Sequence, residues 1–234
     1  MPNGDQATIA VRLERVRARI RDAETRFGRD AGSVALLAVS KLQPATKIIA
    51  AHAAGQTAFG ESYAQEAVAK QAELRALALE WHFIGRIQSN KTRDIAASFD
   101  WLHSLCDIKH ARRLDSQRRD DQAPLRVCIQ VNLSGENNKA GLQPERVAEF
   151  IAACAGLEKL RIEGLMTLPA PNAHFDAQRR PFAALRELRD ALARPDLPLP
   201  VLSMGMSDDL EAAVAEGATI VRVGTAIFGQ RAPI

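Results

Sequence analysis

The stretch VALLAVSKLQP, residues 34–44, begins with six apolar residues and then turns polar at Ser40 and Lys41. A short continuous apolar run of this kind is typical of a strand buried on both faces in a parallel sheet. Pro44 suits the first turn of a helix that follows the strand. A lysine with only a surface role does not need to follow a buried apolar strand. Lys41 is therefore a candidate for chemistry at the strand end.

The same alternation of apolar strand and helix continues along the chain. The predicted strands are 34–39, 57–59, 81–85, 101–105, 125–133, 161–168, 200–204 and 219–224. The predicted helices are 7–27, 44–54, 63–79, 88–99, 107–119, 144–154, 174–193 and 208–217. Eight such strands in 234 residues predict an α/β protein with one domain, residues 1–234, folded as a TIM (β/α)8 barrel with an extra N-terminal helix. A doubly wound open sheet is the alternative.

Composition and charge argue against several classes of function. The net charge is +3, and the arginines are spread along predicted helices, so we interpret them as solvated faces rather than a nucleic-acid patch. Aromatic residues make up 5% of the chain, too few to favour a base-stacking platform. No apolar run approaches a membrane span, and residues 1–15 lack a signal-peptide core. The three cysteines, Cys106, Cys128 and Cys154, form no CxxC pair and predict reduced thiols in a cytoplasmic protein.

In a TIM barrel, functional residues lie at the carboxyl ends of the strands. The small and polar residues predicted at these ends are Ser40, Lys41, Gly60, Glu61, Ser62, His82, Gly85, Asn132, Ser134, Met166, Thr167, Gly205, Ser207, Arg222, Gly224 and Thr225. The set offers a lysine nucleophile and an arginine. It has no His and carboxylate cluster with metal-ligand spacing, so a metal site is not expected.

Two roles are open for Lys41. Loss of solvation at a strand end favours the neutral amine, which can form a Schiff base with an aldehyde. Alternatively, the side chain extends to solvent at the barrel mouth or pairs with Glu61. The apolar approach alone does not decide between these roles.

The loops after the seventh and eighth strands are the usual phosphate site of TIM barrels. Ser207 stands where a helix N-cap is expected, with Asp208 and Asp209 in the first turn. Glycine and serine here also offer N–H and O–H groups to a phosphate, and Gly224 and Thr225 have the same character. Capping by itself is a sufficient reason for Ser207, and the acidic pair argues against an anion unless both carboxylates face solvent.

Six segments of the chain carry a specific resemblance. They are LLAVSK (36–41), FGESYAQEA (59–67), WHFIGRIQSNKTR (81–93), VCIQVNLSGENNKAGL (127–142), GLMTLPAP (164–171) and LSMGMSDDLEAAVAEGATIVRVGTAIFGQR (202–231). Together they resemble the pyridoxal phosphate homeostasis protein family, relatives of the N-terminal barrel of alanine racemase. The resemblance covers the chain from near residue 34 to its end. It implies a barrel similar to that of the fold type III enzymes, one structural class of enzymes that use pyridoxal 5′-phosphate (PLP).

The resemblance also implies a cofactor site, residue by residue. Lys41 matches the lysine that holds PLP as a Schiff base, and Arg222 matches the arginine that faces the pyridine nitrogen. The other implied contacts are Ser207, Gly224 and Thr225 for the phosphate, Val39, His82 and Met166 for the ring pocket, Ser62 on the cofactor side, and Lys139 near the mouth.

Three positions depart from the family pattern. Ser62 stands where asparagine is frequent, which leaves one hydrogen bond on the cofactor side open. Arg86 stands where proline is common. Gln43 stands where a second lysine is frequent, which removes an amine that could assist PLP transfer.

The resemblance implies that the chain binds PLP for intracellular vitamin B6 homeostasis. We expect a monomeric carrier without amino-acid turnover, with apo-enzymes that need PLP as acceptors. An arginine facing the pyridine nitrogen disfavours its protonation, which weakens the ring as an electron sink.

The alternative function is a PLP-dependent racemase of the alanine racemase type. Such racemases share the arginine but use a tyrosine from a second domain; we expect no room for that domain after Gly224, and the single tyrosine is Tyr63. A third class, a Schiff-base aldolase without cofactor, would need the barrel lysine and a sugar-phosphate substrate.

Overall fold

A computed structural model describes residues 4–134 and 140–230, with side chains from residue 8 onward. The strands are β1 (Ala35–Val39), β2 (Ala58–Glu61), β3 (Glu80–Phe83), β4 (Trp101–Leu105), β5 (Leu125–Gln130), β6 (Leu160–Met166), β7 (Val201–Ser203) and β8 (Ile220–Val223). They form a closed parallel barrel in sequence order. Because β1 pairs with β8, with Leu37 opposite Arg222, the predicted TIM barrel is confirmed and the open sheet is excluded.

Helices surround the barrel. They are α1 (Gly4–Arg26), α2 (Ala45–Ala53), α3 (Ala64–Glu73), α4 (Thr92–Ser98), α5 (Ile108–Gln117), α6 (Val147–Ala153), α7 (Phe175–Leu192), α8 (Leu210–Ala215) and α9 (Thr225–Phe228). Short 3-10 turns at Ser89–Lys91 and Pro144–Arg146 lead into α4 and α6. Among the described residues, we find no helix with both the length and the apolar character of a membrane span.

The N-terminal helix α1 covers the barrel beside the seam between β1 and β8. Its buried residues recur at intervals of three and four: Ile9, Leu13, Val16, Ile20 and Ala23. This apolar face contacts α2, α8 and α9. The helix therefore supports the closing seam of the barrel, and one of its arginines also reaches the candidate site, as described below.

The predicted elements occur in the predicted order, but some boundaries differ. The fifth strand, expected to reach residue 133, ends at Gln130, because Val131 bridges to Leu142 and the Leu142 N–H donates to the Gln130 carbonyl at 2.8 Å. The helix expected over 63–79 ends at Glu73. The four-residue helix α9 was not predicted, since so short a segment shows no helical period.

Two apolar regions fill the molecule. The main core lies between barrel and helices and contains large, fully buried side chains such as Phe59, Phe83 and Phe99. Side chains alternate along each strand, so others point into the barrel. There Trp101, Cys128 and Met166 form a separate buried cluster. The barrel interior is thus packed below the mouth, as expected for a closed barrel of this size.

The strands β6 and β7 approach each other closely at Gly164. This residue pairs with Val201, and a Cβ atom placed at Gly164 would lie 1.8 Å from the Val201 carbonyl oxygen. Even the smallest side chain would therefore force the two strands apart.

We predict that Gly164→Ala destabilises the barrel by at least about 1–3 kcal/mol, the usual range for overpacking a buried site. Midpoints of urea unfolding, followed by circular dichroism, measure the effect. The control is Gly60→Ala in β2, because a Cβ atom there would meet side-chain ends, Ile84 at 3.3 Å and Leu37 at 3.4 Å. Equal midpoints for the two variants would contradict the close approach of β6 and β7.

A buried network of charges fixes the carboxyl ends of β1 and β2. The Lys70 ammonium donates to Glu61 Oε1 at 2.8 Å, to Glu66 Oε1 at 2.6 Å and to the Ser40 carbonyl at 2.8 Å. The Ser40 hydroxyl donates to the same Glu61 oxygen at 2.7 Å. Burial raises the pKa of Glu61, while the Lys70 charge acts against that rise. Lys70 is thus the lysine that pairs with Glu61, and the pair holds the backbone directly before Lys41.

We predict that Lys70→Met lowers the free energy of unfolding by about 3–5 kcal/mol at neutral pH, because the Glu61 carboxylate stays buried without its cation. The variant raises the folded-state pKa of Glu61 further above its unfolded-state pKa. The loss of stability relative to the wild type should therefore grow as the pH rises above the folded-state pKa of Glu61 in the wild type, and shrink at lower pH, where protonation removes the buried charge in both proteins.

Urea unfolding across this pH range tests the prediction. The double variant Lys70→Met/Glu61→Gln is the control, because it removes both charges and should recover much of the lost stability. A Lys70→Met protein as stable as the wild type at neutral pH would show that the ion pair does not hold this part of the fold.

Candidate functional site

A cleft of about 520 Å³ opens at the carboxyl ends of the strands, beside α1. Residues predicted from the sequence line it: Val39, Lys41, Ser207, Arg222, Gly224 and Thr225. They come from the ends of β1 and β8 and from the loop after β7. Barrel closure therefore brings together most of the predicted site from opposite ends of the chain.

Lys41 lies in a tight turn that follows β1. The Gln43 N–H donates to the Ser40 carbonyl at 3.1 Å and closes the turn. Between them, Leu42 has a φ of 59°, a left-handed conformation that is uncommon for a residue other than glycine. Its N–H donates to Glu66 Oε1 at 2.7 Å, which holds this conformation in place. Strained backbone recurs at functional sites, and here it directly follows the candidate lysine.

Arg222 lines the cleft although it is only 4% exposed. Its Nη1 donates to Ser203 Oγ at 2.7 Å, and its Nη2 donates to the Thr167 carbonyl at 2.9 Å. Burial lowers the pKa of Arg222 to about 10, and the nearby Asp209 carboxylate opposes this shift. The guanidinium therefore stays charged at neutral pH and is held rigidly at the cleft.

Ser207 lines the cleft, but it is not the helix N-cap expected from the sequence. The helix α8 begins three residues later, and Asp209 occupies its N-cap position without a side-chain bond into the helix. Asp209 Oδ1 instead accepts a hydrogen bond from the Met206 N–H at 2.6 Å. The capping explanation for Ser207 is therefore wrong, because the loop turns once more before the helix starts.

Gly224 lets the ends of β1 and β8 come close together at the cleft. A Cβ atom at Gly224 would lie 3.1 Å from the Val39 carbonyl oxygen and 3.3 Å from Val39 Cβ. A side chain at this position would fill space beside the cleft lining. Glycine thus keeps the backbone before Thr225 accessible to a ligand, which is the property expected of a phosphate-binding loop.

Arg19 of α1 also lines the cleft, and sequence reasoning missed it. Its Nη2 donates to the Ser207 carbonyl at 2.9 Å, while Nε and Nη2 donate to the Glu211 carboxylate at 2.8 and 2.9 Å. The sequence alone predicts that the arginines of this helix are solvated. No local pattern distinguishes Arg19, because its partners lie at the other end of the chain.

The charges around the cleft are predominantly positive. Its lining contains the cations Arg19, Lys41 and Arg222 and the carboxylate of Asp208. Such a lining favours an anionic ligand, and a lysine favours one with a carbonyl group that can condense with an amine. Among the described residues, no group of three or more His, Cys, Asp or Glu side chains could hold a metal ion.

A second cleft, of about 420 Å³, adjoins the first and shares Lys41 with it. Ser62 lies here rather than in the first cleft, together with Tyr63, Arg86 and Lys91. Both Arg86 and Lys91 add positive charge to this side. Lys41 therefore stands between two cavities that open at the barrel mouth.

His82 and Met166, expected around the ring pocket, lie inside the barrel and line neither cleft. His82 is 3% exposed and stacks on Trp101 with ring centroids 5.5 Å apart. Met166 is fully buried in the cluster with Trp101 and Cys128. The alternation of side chains in a strand could have shown that both point inward, but not how far below the mouth they lie. Lys139 falls outside the described residues.

Comparison with known proteins relates the chain to a defined family. The model of the alanine racemase N-terminal domain matches residues 11–232. The pyridoxal phosphate homeostasis protein of Pseudomonas aeruginosa is 55% identical over 225 residues, which cover 96% of each chain. That of Escherichia coli is 48% identical over 229 residues, which cover 95% of this chain and 97% of the relative.

Solved structures agree with these sequence matches. PipY of Synechococcus elongatus, solved with PLP bound, is 40% identical, with a TM-score of 0.82 over 94% of this chain and 100% of PipY. Alanine racemase from Corynebacterium glutamicum, 20% identical with a TM-score of 0.71, shares the fold over 96% of this chain and 62% of the racemase. The chain therefore belongs to the pyridoxal phosphate homeostasis protein family, and its barrel is that of the alanine racemase N-terminal domain.

Proposed function

We propose that this chain binds PLP as a Schiff base on Lys41 and serves vitamin B6 homeostasis as a carrier. The observation that supports it most strongly is the cleft itself, where Lys41, the buried cation Arg222 and the glycine loop at Gly224 meet. The PLP-bound structure of PipY, a relative with 40% identity, adds independent support.

The residues present fit each part of PLP. The positive lining and the loops at Ser207 and Gly224 suit a phosphate dianion, because charge-assisted hydrogen bonds are strong. Arg222 suits the ring nitrogen as a donor that stays charged. The Lys41 amine condenses with the aldehyde carbon, and one water molecule leaves as the C=N bond forms. PLP bound here would supply an electrophilic carbon and a conjugated ring.

One observation favours a carrier over a racemase. The homeostasis relatives match this chain over nearly their full length, whereas the alanine racemase matches over 62% of its chain. Racemisation stays the second candidate, because Tyr63 lines the second cleft together with Lys41 and could serve as an acid or base.

The acceptors, the cellular location and the oligomeric state of the proposed carrier are part of the same proposal. Apo-enzymes that need PLP are the proposed acceptors, since a Schiff base to lysine exchanges with other amines. The cysteines Cys106, Cys128 and Cys154 are free thiols. Free thiols suit a reducing compartment, which supports a cytoplasmic location, and we propose that the carrier acts as a monomer.

We predict that the protein absorbs visible light with PLP bound, and that borohydride reduction fixes the adduct on the peptide containing Lys41. Mass mapping of the digested protein locates the adduct. Lys41→Ala should abolish it, whereas Lys91→Ala, which removes a lysine that lines the second cleft beside Lys41, should retain it. An adduct on another lysine, with an unchanged spectrum in Lys41→Ala, would refute the assignment.

We also predict that the PLP-loaded protein does not turn over amino acids. In D₂O with L-alanine, NMR should show no exchange of the Cα proton and chiral analysis no D-alanine, while PLP passes to an added apo-enzyme. Exchange near the typical enzyme turnover of about 10 s⁻¹, lost in Lys41→Ala and reduced in Tyr63→Phe, would instead establish a racemase.

A further inference from the structure

A row of buried polar groups crosses the barrel interior and ends at the candidate cofactor site. Arg222 Nη1 donates to Ser203 Oγ at 2.7 Å. Ser203 Oγ lies 2.7 Å from His103 Nδ1, and His103 Nε2 lies 2.8 Å from His82 Nδ1. All four side chains are at most 4% exposed. They belong to β8, β7, β4 and β3, so the row connects opposite walls of the barrel.

The chemistry of the donors fixes the direction of this row. Arginine can only donate, so Ser203 Oγ accepts from Arg222. Among the contacts of the described residues, His103 Nδ1 is the other polar partner of the Ser203 hydroxyl, which therefore donates to it. A neutral imidazole that accepts at Nδ1 carries its proton on Nε2. His103 thus donates through Nε2 to His82 Nδ1, and His82 in turn carries its proton on Nε2.

Both histidines are neutral, which this direction requires. Burial lowers the pKa of His103 well below its ordinary value, and the positive charge of Arg222 lowers it further. Burial also lowers the pKa of His82, against the opposite pull of Glu80. A second proton on His82 would place two N–H donors, on His82 Nδ1 and His103 Nε2, face to face in a dry interior.

The row ends at His82, beside a carboxylate on the amino-terminal side of the barrel. His82 Nε2 lies 3.6 Å from Glu80 Oε2, too far for a hydrogen bond, and has no hydrogen-bond partner among the described residues. Glu80 Oε1 accepts from Trp101 Nε1 at 2.7 Å and from Arg126. The interaction with His82 and these partners lower the pKa of Glu80 to about 2 against the opposite effect of burial, so Glu80 stays ionised. Arg222, which can only donate, therefore sets the direction of the three hydrogen bonds, and the nearby Glu80 carboxylate favours a proton on His82 Nε2.

We propose that Ser203, His103 and His82 are positioning residues that fix the orientation of Arg222 through a one-directional hydrogen-bond chain, which runs from Arg222 to His82 and ends beside Glu80. The proposal rests on the proposed function only in that Arg222 then faces the PLP ring nitrogen. This hydrogen-bond chain explains why two histidines occupy the barrel interior without lining either cleft. Its loss would leave an arginine N–H and a ring nitrogen unpaired in the core, and the guanidinium free to turn away from the cofactor.

The direction of the chain can be tested without cofactor. Nitrogen-15 NMR of the imidazole rings in the PLP-free wild-type protein should show His82 and His103 neutral and protonated on Nε2, with unprotonated Nδ1 atoms. Observation of Nδ1–H on either ring, or of a charged ring at neutral pH, would refute the proposed direction of the hydrogen-bond chain. Because this readout needs no PLP, it stands even if the proposed function fails.

The positioning role is tested with Ser203→Ala and Ser203→Cys. The cysteine fills the space of serine but is a weak donor and acceptor, so it separates a lost hydrogen bond from a cavity. Both variants should bind PLP about tenfold more weakly, as expected for a lost charge-assisted bond, with a changed visible spectrum and a changed His103 Nδ1 signal.

Ser104→Ala is the matched control. Ser104 is a neighbouring serine that is 4% exposed. Its hydroxyl donates to the Gly85 carbonyl at 2.5 Å and takes no part in the hydrogen-bond chain. It should keep the wild-type affinity, spectrum and His103 signal. If folded Ser203 variants match Ser104→Ala in all three measurements, Ser203 does not position Arg222. If the Ser203 variants fail to fold, the wild-type NMR result still decides whether the hydrogen-bond chain exists.

Discussion

The pairing of β1 with β8 is the contact on which the site depends. Leu37 lies opposite Arg222 in this register, so the carboxyl ends of the first and last strands meet. Lys41 and the Gly224 loop then face one cleft although they are nearly the whole chain apart. The seam closes tightly because glycine stands where a Cβ atom would press on Val39. The helix α1 supports it from outside and adds Arg19 to the cleft lining.

Buried charge surrounds this seam and is balanced on each side. Lys70 is held between Glu61, Glu66 and the Ser40 carbonyl, so the turn that carries Lys41 has a rigid base. Arg222 is held by a hydroxyl and a backbone carbonyl in the barrel interior. Unpaired charges at such depth would be strongly destabilising, whereas the Lys70 ammonium and the Arg222 guanidinium each donate to buried oxygen atoms. Rigid placement of both groups is what a site for a small, charged cofactor needs, since little ordering is left for the moment of binding.

The same arrangement explains how a barrel of the alanine racemase type can serve as a carrier. The proposed carrier needs a lysine that binds an aldehyde reversibly and a pocket that recognises phosphate. A racemase needs in addition an acid and a base placed on opposite sides of Cα. The positive second cleft gives Lys41 a second opening at the barrel mouth. Ser62 and Arg86, which depart from the family pattern, line this cleft. An opening there is compatible with the approach of an acceptor amine.

The sequence alone predicts the barrel, because short apolar strands and helices repeat at a spacing that few folds accommodate. It also predicts Lys41, Arg222 and Gly224 as site residues, through their places at strand ends and through motifs shared with a family, and the three line one cleft. It could not determine the depth of His82 and Met166, the partner of Glu61, the left-handed turn at Leu42 or the role of Arg19. These depend on contacts between residues distant in the chain, and on how far each strand is shifted along the barrel axis. Local periodicity carries no information on such contacts, and only the closed tertiary structure decides them.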